Sequence, residues 1–139
     1  INMVAKAKAS QYKREDDLKL NIKNVSIRIS EPDLTKIVEE LCDNSFKFSE
    51  EKSSIFIETQ ITVNSLIIKV TDFGRGISPE SLKEVGAYMQ FERALYEQQG
   101  LGLGLVIVKR LVELYGGQFF VQSEQGQGTG VAVALPLSQ

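Results

Sequence analysis

The chain has 139 residues, of which 42% are hydrophobic, and a formal net charge of −2. The length predicts one domain, and the apolar content is enough for a real core, which excludes a disordered chain. The small net charge gives no electrostatic footprint for nucleic acid, and no apolar run approaches the length of a membrane span. The single cysteine, Cys42, excludes an internal disulfide and indicates a reducing compartment, so we expect a cytoplasmic location.

The first half of the chain predicts a helix, a hairpin and a second helix. Residues 1–11 mix apolar and basic side chains and are interpreted as a helix. Strict alternation predicts strands over residues 18–22 and 25–29, with Lys23-Asn24 as a tight turn between them. A capping Ser30, Pro32 near the first turn and early acids then mark a helix start. This helix is expected to run to about residue 48, with its core face formed by Leu34, Ile37, Leu41, Ser45 and Phe48.

The second half of the chain predicts two more pairs of strands. Strands are expected over residues 55–63 and 66–70, followed by a loop at 72–76 and a helix over 78–88. Residues 89–99 are interpreted as a mobile lid, and residues 106–115 as a helix that ends at Gly116-Gly117. Strands over 118–122 and 131–135 flank a turn. The pattern predicts an α+β fold, a two-layer sandwich whose mixed, mostly antiparallel sheet is backed by about three helices.

Three polar residues lie on one stripe of the second helix. Glu40, Asn44 and Lys47 are spaced i, i+4, i+7, about 90° round from the apolar centre at about 100° per residue. An amide oxygen is a suitable ligand for Mg²⁺, and a lysine would neutralise phosphate charge. Glu40 would orient a nucleophile or accept its proton. The alternative is an ordinary solvated helix face.

Three glycines alternate with leucines over residues 100–105, ahead of the helix predicted for 106–115. Such glycines let backbone N–H groups approach a phosphate, and a helix N-terminus carries unpaired donors. No Lys-Ser or Lys-Thr follows, which excludes the P-loop pattern, and no strand directly precedes the run, which argues against a dinucleotide fingerprint. The alternative is a flexible hinge before a helix.

Asp72 follows a predicted buried strand and precedes Gly74 and Gly76. A carboxylate at this place can accept a hydrogen bond from an exocyclic amine such as that of adenine. The glycines let the backbone come close to a planar ring. The alternative is a common Asp-Gly turn.

Five segments occur in a specific order along the chain. They are Glu-Leu-Cys-Asp-Asn-Ser-Phe-Lys-Phe at 40–48, Asp-Phe-Gly-Arg-Gly-Ile at 72–77, Phe91 with Arg93, the glycine-leucine run at 100–105, and Gly-Gln-Gly-Thr at 126–129. This order resembles the ATP-binding catalytic domain of two-component sensor histidine kinases, in the superfamily shared with DNA gyrase, the Hsp90 chaperones and MutL. The resemblance covers about residues 17–137 and implies a Bergerat-type ATP-binding fold with a flexible ATP lid.

The resemblance implies ATP and Mg²⁺ as cofactors and a role for each segment. Asn44 would be the Mg²⁺ ligand, Lys47 a phosphate contact, and Asp72 the reader of the adenine amino group. Phe91 and Arg93 look like part of the lid. Further nucleotide contacts are implied for Phe48, Gly74, Gly76, Ile77, Gly100, Leu101, Gly102, Leu103, Gly104, Leu105 and Thr129.

Three departures bear on the reaction. Ser45 stands where the kinases usually have alanine. Glu40 stands where many of them have asparagine or another polar residue, whereas the ATP-hydrolysing relatives have glutamate. The chain contains no histidine, so the phosphoacceptor must lie elsewhere. The resemblance implies a separate dimerisation and histidine-phosphotransfer domain, which residues 1–16 would connect, a response regulator receiver domain as partner, and a homodimeric full-length protein. Because the first residue is Ile1, we expect a fragment of that longer protein.

The sequence leaves other functions open. An ATPase module of the gyrase or Hsp90 kind would need Glu40 for hydrolysis and would phosphorylate no histidine. A serine kinase of the anti-sigma-factor type and a degenerate nucleotide-binding domain used for docking are the remaining alternatives.

Overall fold

A computed structural model of the chain describes residues 1–73, 102–124 and 128–137. The helix predicted for 78–88, the lid predicted for 89–99 and most of the loop predicted for 72–76 lie outside these residues. In chain order the elements are α1 (Asn2–Gln11), a 3₁₀ turn (Glu15–Asp17), β1 (Leu18–Asn21), α2 (Glu31–Phe48), β2 (Ile55–Ile61), β3 (Ser65–Asp72), α3 (Gly102–Leu114), β4 (Gln118–Glu124) and β5 (Gly128–Pro136).

The described strands form one five-stranded sheet in the order β1-β2-β3-β5-β4. β2 and β3 form an antiparallel hairpin, and so do β4 and β5, whereas β1 pairs parallel with β2. Alternate side chains of the strands are buried on one face, where α2 packs on β3 and α3 packs on β4 and β5. The predicted arrangement, with helices covering one face of a mixed sheet, is confirmed.

The predicted hairpin at Lys23-Asn24 is wrong. β1 runs alongside β2, with Leu18 opposite Ile55, and the chain continues in the same direction after the strand ends. The backbone N–H of Lys23 donates to Thr59 Oγ1 at 2.6 Å, which holds this continuation against β2. The predicted strand over 25–29 is reduced to an isolated bridge between Ile27 and Leu137. The alternation of apolar and polar residues over 18–29 indicated extended segments with one exposed face, but it could not indicate which strands they pair with.

Helix α2 begins as predicted and is covered on more sides than predicted. Ser30 caps it by accepting a hydrogen bond from the Asp33 N–H at 3.3 Å. Ile37, Leu41 and Ser45 of the predicted core face are buried, while Leu34 and Phe48 are partly buried. The buried set also includes Val38, Cys42 and Phe46, because α1 packs against a second side of this helix.

Helices α2 and α3 pack against each other over the sheet. The hydroxyl group of Tyr115, just after α3, donates a hydrogen bond to the Asp33 carboxylate in the first turn of α2. Leu105, Val106 and Val108 of α3 are fully buried. None of the helices within the described ranges has the length and hydrophobicity that a bilayer span requires.

Candidate nucleotide-binding site

Asn44 presents a buried acceptor that the described part of the protein does not use. The residue is 8% exposed, and its Oδ1 atom is buried without a hydrogen-bond partner among the described residues. Leaving such an acceptor unsatisfied costs about 1–3 kcal/mol, so an unpartnered amide oxygen in a native structure calls for an explanation. A hard oxygen donor of this kind fits Mg²⁺, which typically takes one or two protein ligands and fills its other positions with phosphate oxygens and water.

The other two residues of the polar stripe lie in different surroundings. Lys47 is exposed in the last turn of α2. The Glu40 side chain is 18% exposed, and its Oε1 atom forms an ion pair with Lys36 Nζ at 2.7 Å. Sequence reasoning missed Lys36, although its i, i+4 spacing from Glu40 was the available signal. The hydrogen bond to Glu40 raises the pKa of Lys36, so this ammonium stays charged at neutral pH.

Helix α3 starts at Gly102 rather than after Leu105, so the prediction that the whole glycine run is a loop is wrong. Burial of the residues that follow stabilises the helix and offsets the poor helix propensity of glycine. The backbone N–H groups of Gly102 and Gly104 therefore belong to the first turn, where a helix offers donors to an anion. Leu105 is fully buried, so its side chain serves the core and leaves only its backbone for a ligand.

Gly104 brings the start of α3 against Glu40. A Cβ atom at position 104 would lie 2.6 Å from Glu40 Oε2, closer than real Cβ contacts. The absence of a side chain thus lets the first turn of α3 approach the polar stripe of α2. The structure brings two of the segments from the sequence together here, the stripe at 40–47 and the end of the glycine run.

Asp72 and Thr129 form a second pair at the ends of two neighbouring strands. They are opposite each other in the antiparallel register of β3 and β5 and are 2% and 5% exposed. Gly128 has φ +120°, and a Cβ atom there would lie 2.2 Å from the Asp72 carbonyl oxygen. Only glycine allows β5 to start so close to the end of β3. The predicted adenine reader and the late threonine are therefore neighbours.

Several predicted site residues lie wholly or partly outside the described part of the chain. Leu103 lies in the described helix, but its side chain does not belong to the described part of the chain. The remaining predicted contacts lie outside the described residues: Gly74, Gly76, Ile77, Phe91, Arg93, Gly100 and Leu101.

Cys42 is a buried side chain of α2 rather than a reactive group. It is 0% exposed, and burial raises the pKa of its thiol to about 12. The thiolate, which is the reactive species, is therefore scarce at neutral pH.

A mixed sheet with helices on one face, a helix N-terminus beside a polar stripe and a buried Asp-Thr pair define a nucleotide-binding α/β sandwich. Residues 14–139 match the family described as histidine kinase-, DNA gyrase B-, and HSP90-like ATPase. The chain belongs to this family and is its histidine-kinase type of ATP-binding catalytic domain.

The relatives are named histidine kinases. The chain is 37% identical to the histidine protein kinase DivJ of Caulobacter vibrioides over 105 residues, which are 75% of this chain and 18% of the relative. It is 32% identical to the circadian input-output histidine kinase CikA of Synechococcus elongatus over 133 residues, which are 94% of this chain and 18% of the relative. The chain thus spans less than a fifth of the length of these relatives.

Two solved structures share the fold over nearly the whole chain. The mycobacterial sensor histidine kinase MprB matches with a TM-score of 0.71 and 27% identity, covering 98% of this chain and 93% of that one. Full-length ShkA in complex with AMPPNP matches with a TM-score of 0.75 and 25% identity, covering 99% of this chain and 29% of that one. The predicted family and fold are confirmed.

Proposed function

We propose that this domain binds ATP together with Mg²⁺ and donates the γ-phosphate to a histidine on a separate dimerisation and phosphotransfer domain of the same protein. The observation that carries the proposal is the buried Asn44 Oδ1 atom, which has no hydrogen-bond partner in the described ranges. Asn44 lies on α2, and α3 packs against this helix. The N-terminus of α3 is of the kind that binds phosphate.

The nucleotide would contact both parts of the site: the polar stripe of α2 with the start of α3, and the pair Asp72 and Thr129. Asn44 would hold the metal, which supplies neutralisation of the phosphate charge. Lys47 and the first-turn N–H groups of α3 would bind phosphate oxygens. Asp72, next to Thr129, would accept the hydrogen bond of the adenine amino group. The proposal extends to contacts from Phe48, Gly74, Gly76, Ile77, Phe91, Arg93, Gly100, Leu101, Gly102, Leu103, Gly104 and Leu105.

In the phosphoryl transfer itself, the residues of this domain would form no covalent bond to the substrate. A ring nitrogen of the acceptor histidine forms a bond to the γ-phosphorus, the bond from that phosphorus to the bridging oxygen breaks, and ADP leaves. Glu40 would accept the proton that the imidazole loses or orient the ring for attack. Catalysis would then come mainly from positioning and charge neutralisation.

The proposed partners follow from the kind of protein to which such a domain belongs. The two histidine kinases among the relatives are much longer than this chain. We expect a homodimer of the full-length protein in the cytoplasm, with residues 1–16 connecting to the phosphoacceptor domain and a response regulator receiver domain as the final acceptor.

Incubation of this domain and its histidine-bearing partner domain with γ-labelled ATP tests the proposal. The proposal predicts label on the partner that is labile in acid and stable in alkali, as expected for a phosphorus–nitrogen bond. The Asn44→Ala variant should lose the transfer, and the matched Asn24→Ala variant in an exposed loop should keep it. Release of inorganic phosphate that requires Glu40, with no labelled histidine, would favour the ATPase module instead.

A further inference from the structure

Arg14 is a buried cation that sequence reasoning did not single out. It follows α1, is 5% exposed, and uses all three of its guanidinium nitrogens. Because an arginine is almost never buried without partners, such a residue points to a specific structural task. Its partners lie at the C-terminal end of α2 and in the loop after it.

One nitrogen of Arg14 completes the C-terminus of α2. Nη1 donates to the carbonyl oxygens of Phe46 at 3.1 Å and Ser49 at 3.2 Å. The last carbonyls of a helix have no partner within the helix, and α2 ends in an extended Ser49 rather than in a glycine. Ser49 Oγ donates to the Ser45 carbonyl at 2.6 Å and accepts from Nη1 at 3.0 Å. The positive guanidinium also stabilises the negative end of the helix dipole.

The other two nitrogens of Arg14 hold the loop at residues 49–54. Nη2 donates to the carbonyl oxygens of Glu50 at 2.7 Å and Ser53 at 3.2 Å. Nε donates to Asp17 Oδ2 at 2.7 Å, and the same carboxylate oxygen accepts from the Lys52 N–H at 3.0 Å. The loop therefore closes around one side chain and its carboxylate partner.

Aromatic contacts fix the guanidinium in place. Its carbon lies 5.2 Å from the centre of the Phe46 ring, and Tyr12 stacks on the same ring with centroids 5.2 Å apart. Stacking and a planar fork of donors are properties of arginine that lysine lacks. A lysine at this position would reach at most a part of the same acceptors.

We infer that Arg14 is a positioning residue of the nucleotide site. It binds the carbonyl of Phe46, and the last turn that it completes also carries Lys47 and Phe48, with Asn44 just before it. Without Arg14 this turn keeps the bond from Ser49 Oγ to the Ser45 carbonyl but loses the donors to the Phe46 and Ser49 carbonyls, so the metal ligand and the phosphate contact are held less firmly. The adenine pair, Asp72 and Thr129, lies on the sheet and is held by the pairing of β3 with β5 rather than by this turn. The inference rests on the proposed function.

The test compares two ligands on the 139-residue chain. Titrations monitored by NMR and calorimetry measure the affinity for AMPPNP with Mg²⁺ and the affinity for adenosine alone. In Arg14→Lys the AMPPNP affinity should fall by about tenfold or more, because a small misplacement of contact groups is costly. Adenosine affinity should change by less than about twofold, since within the described residues Arg14 forms no contact with Asp72 or Thr129, and sites without shared partners contribute nearly independently. Arg28→Lys, at an exposed arginine, is the matched control and should change neither.

A second variant covers the case in which Arg14→Lys does not fold. Asp17→Asn keeps the shape of the partner that orients Nε and removes its charge. It should show the same selective loss for AMPPNP with Mg²⁺, by a smaller factor.

Each outcome decides the inference. Selective loss of AMPPNP affinity, with adenosine affinity kept, supports it. Full AMPPNP affinity in folded variants overturns it, and so does an equal loss for both ligands, which would mean a purely structural role. If the wild-type chain binds AMPPNP with Mg²⁺ no better than it binds adenosine, the proposed phosphate and metal contacts fail, and the inference falls with them.

Discussion

Replacement of Gly104 by alanine tests the contact between α3 and the polar stripe of α2. The added Cβ would lie 2.6 Å from Glu40 Oε2, so the carboxylate must move. Alanine in place of glycine stabilises a helix by about 0.5–1 kcal/mol. Displacing the flexible Glu40 side chain costs roughly the worth of its ion pair with Lys36, about 0.5 kcal/mol for a pair of this kind. The net change in the free energy of unfolding should therefore lie within about 0.5 kcal/mol of zero.

A double-mutant cycle separates these two contributions. Urea unfolding of wild type, Gly104→Ala, Glu40→Ala and the double variant gives the coupling between the two positions. In the Glu40→Ala background the clash is absent, so Gly104→Ala should stabilise by about 0.5–1 kcal/mol. Glu39→Ala provides the matched control background, in which the effect of Gly104→Ala should equal that in wild type. An effect of the same size in all three backgrounds would refute the contact.

Three further predictions concern the remaining framework. Gly117→Ala places a Cβ 2.2 Å from the Ala134 carbonyl oxygen, a backbone atom, and should lower the free energy of unfolding in urea by about 2–3 kcal/mol; unchanged stability would contradict the packing. The Cys42 thiol, whose pKa is raised to about 12, should not react with a thiol reagent at pH 8 until the protein is unfolded, and rapid reaction of the native protein would be the opposite result. The hydrogen bond from Arg14 lowers the pKa of Asp17 below its usual 3.8, so the stability this carboxylate contributes is present above that pH and is lost as the pH falls below it. Asp17→Asn should make that acid-side decline shallower in unfolding measurements, and an unchanged slope would contradict the pairing.

Features that depend on neighbouring residues were predictable from the sequence. The start of α2 follows from Ser30, Pro32 and Asp33, because capping is decided within one turn. The hairpin of β2 and β3 and that of β4 and β5 follow from alternation around short turns. The order of the motif segments indicated the family, and the comparison with known proteins confirmed it.

Features that depend on distant residues were not predictable in the same way. β1 pairs with β2 after the chain has passed through α2, and nothing within residues 18–29 encodes that choice. The start of α3 at Gly102 depends on burial against α2, which outweighs the low helix propensity of glycine. The partners of Arg14 are 32 to 39 residues away along the chain, apart from Asp17, so only the folded structure reveals its role.

Two residues of the candidate site, Asn44 and Asp72, could be predicted from their chemistry. Asn44 and Asp72 are residue types that suit a metal and an adenine amine, and each occurs in a recognisable local pattern. The ion pair of Glu40 with Lys36 and the approach of Gly104 are geometric facts about two packed helices. They require the angle and distance between the helices, which the sequence does not state.

Calorimetric titration of the chain with AMPPNP in the presence of Mg²⁺ tests the central claim most directly. The account predicts saturable binding by the wild type and a loss of about tenfold or more in Asp72→Asn, because the charged acceptor for the adenine amine is removed, and about 1.4 kcal/mol corresponds to that factor. No binding by a folded wild-type chain, or full affinity in Asp72→Asn, would contradict the assignment of this domain's nucleotide site.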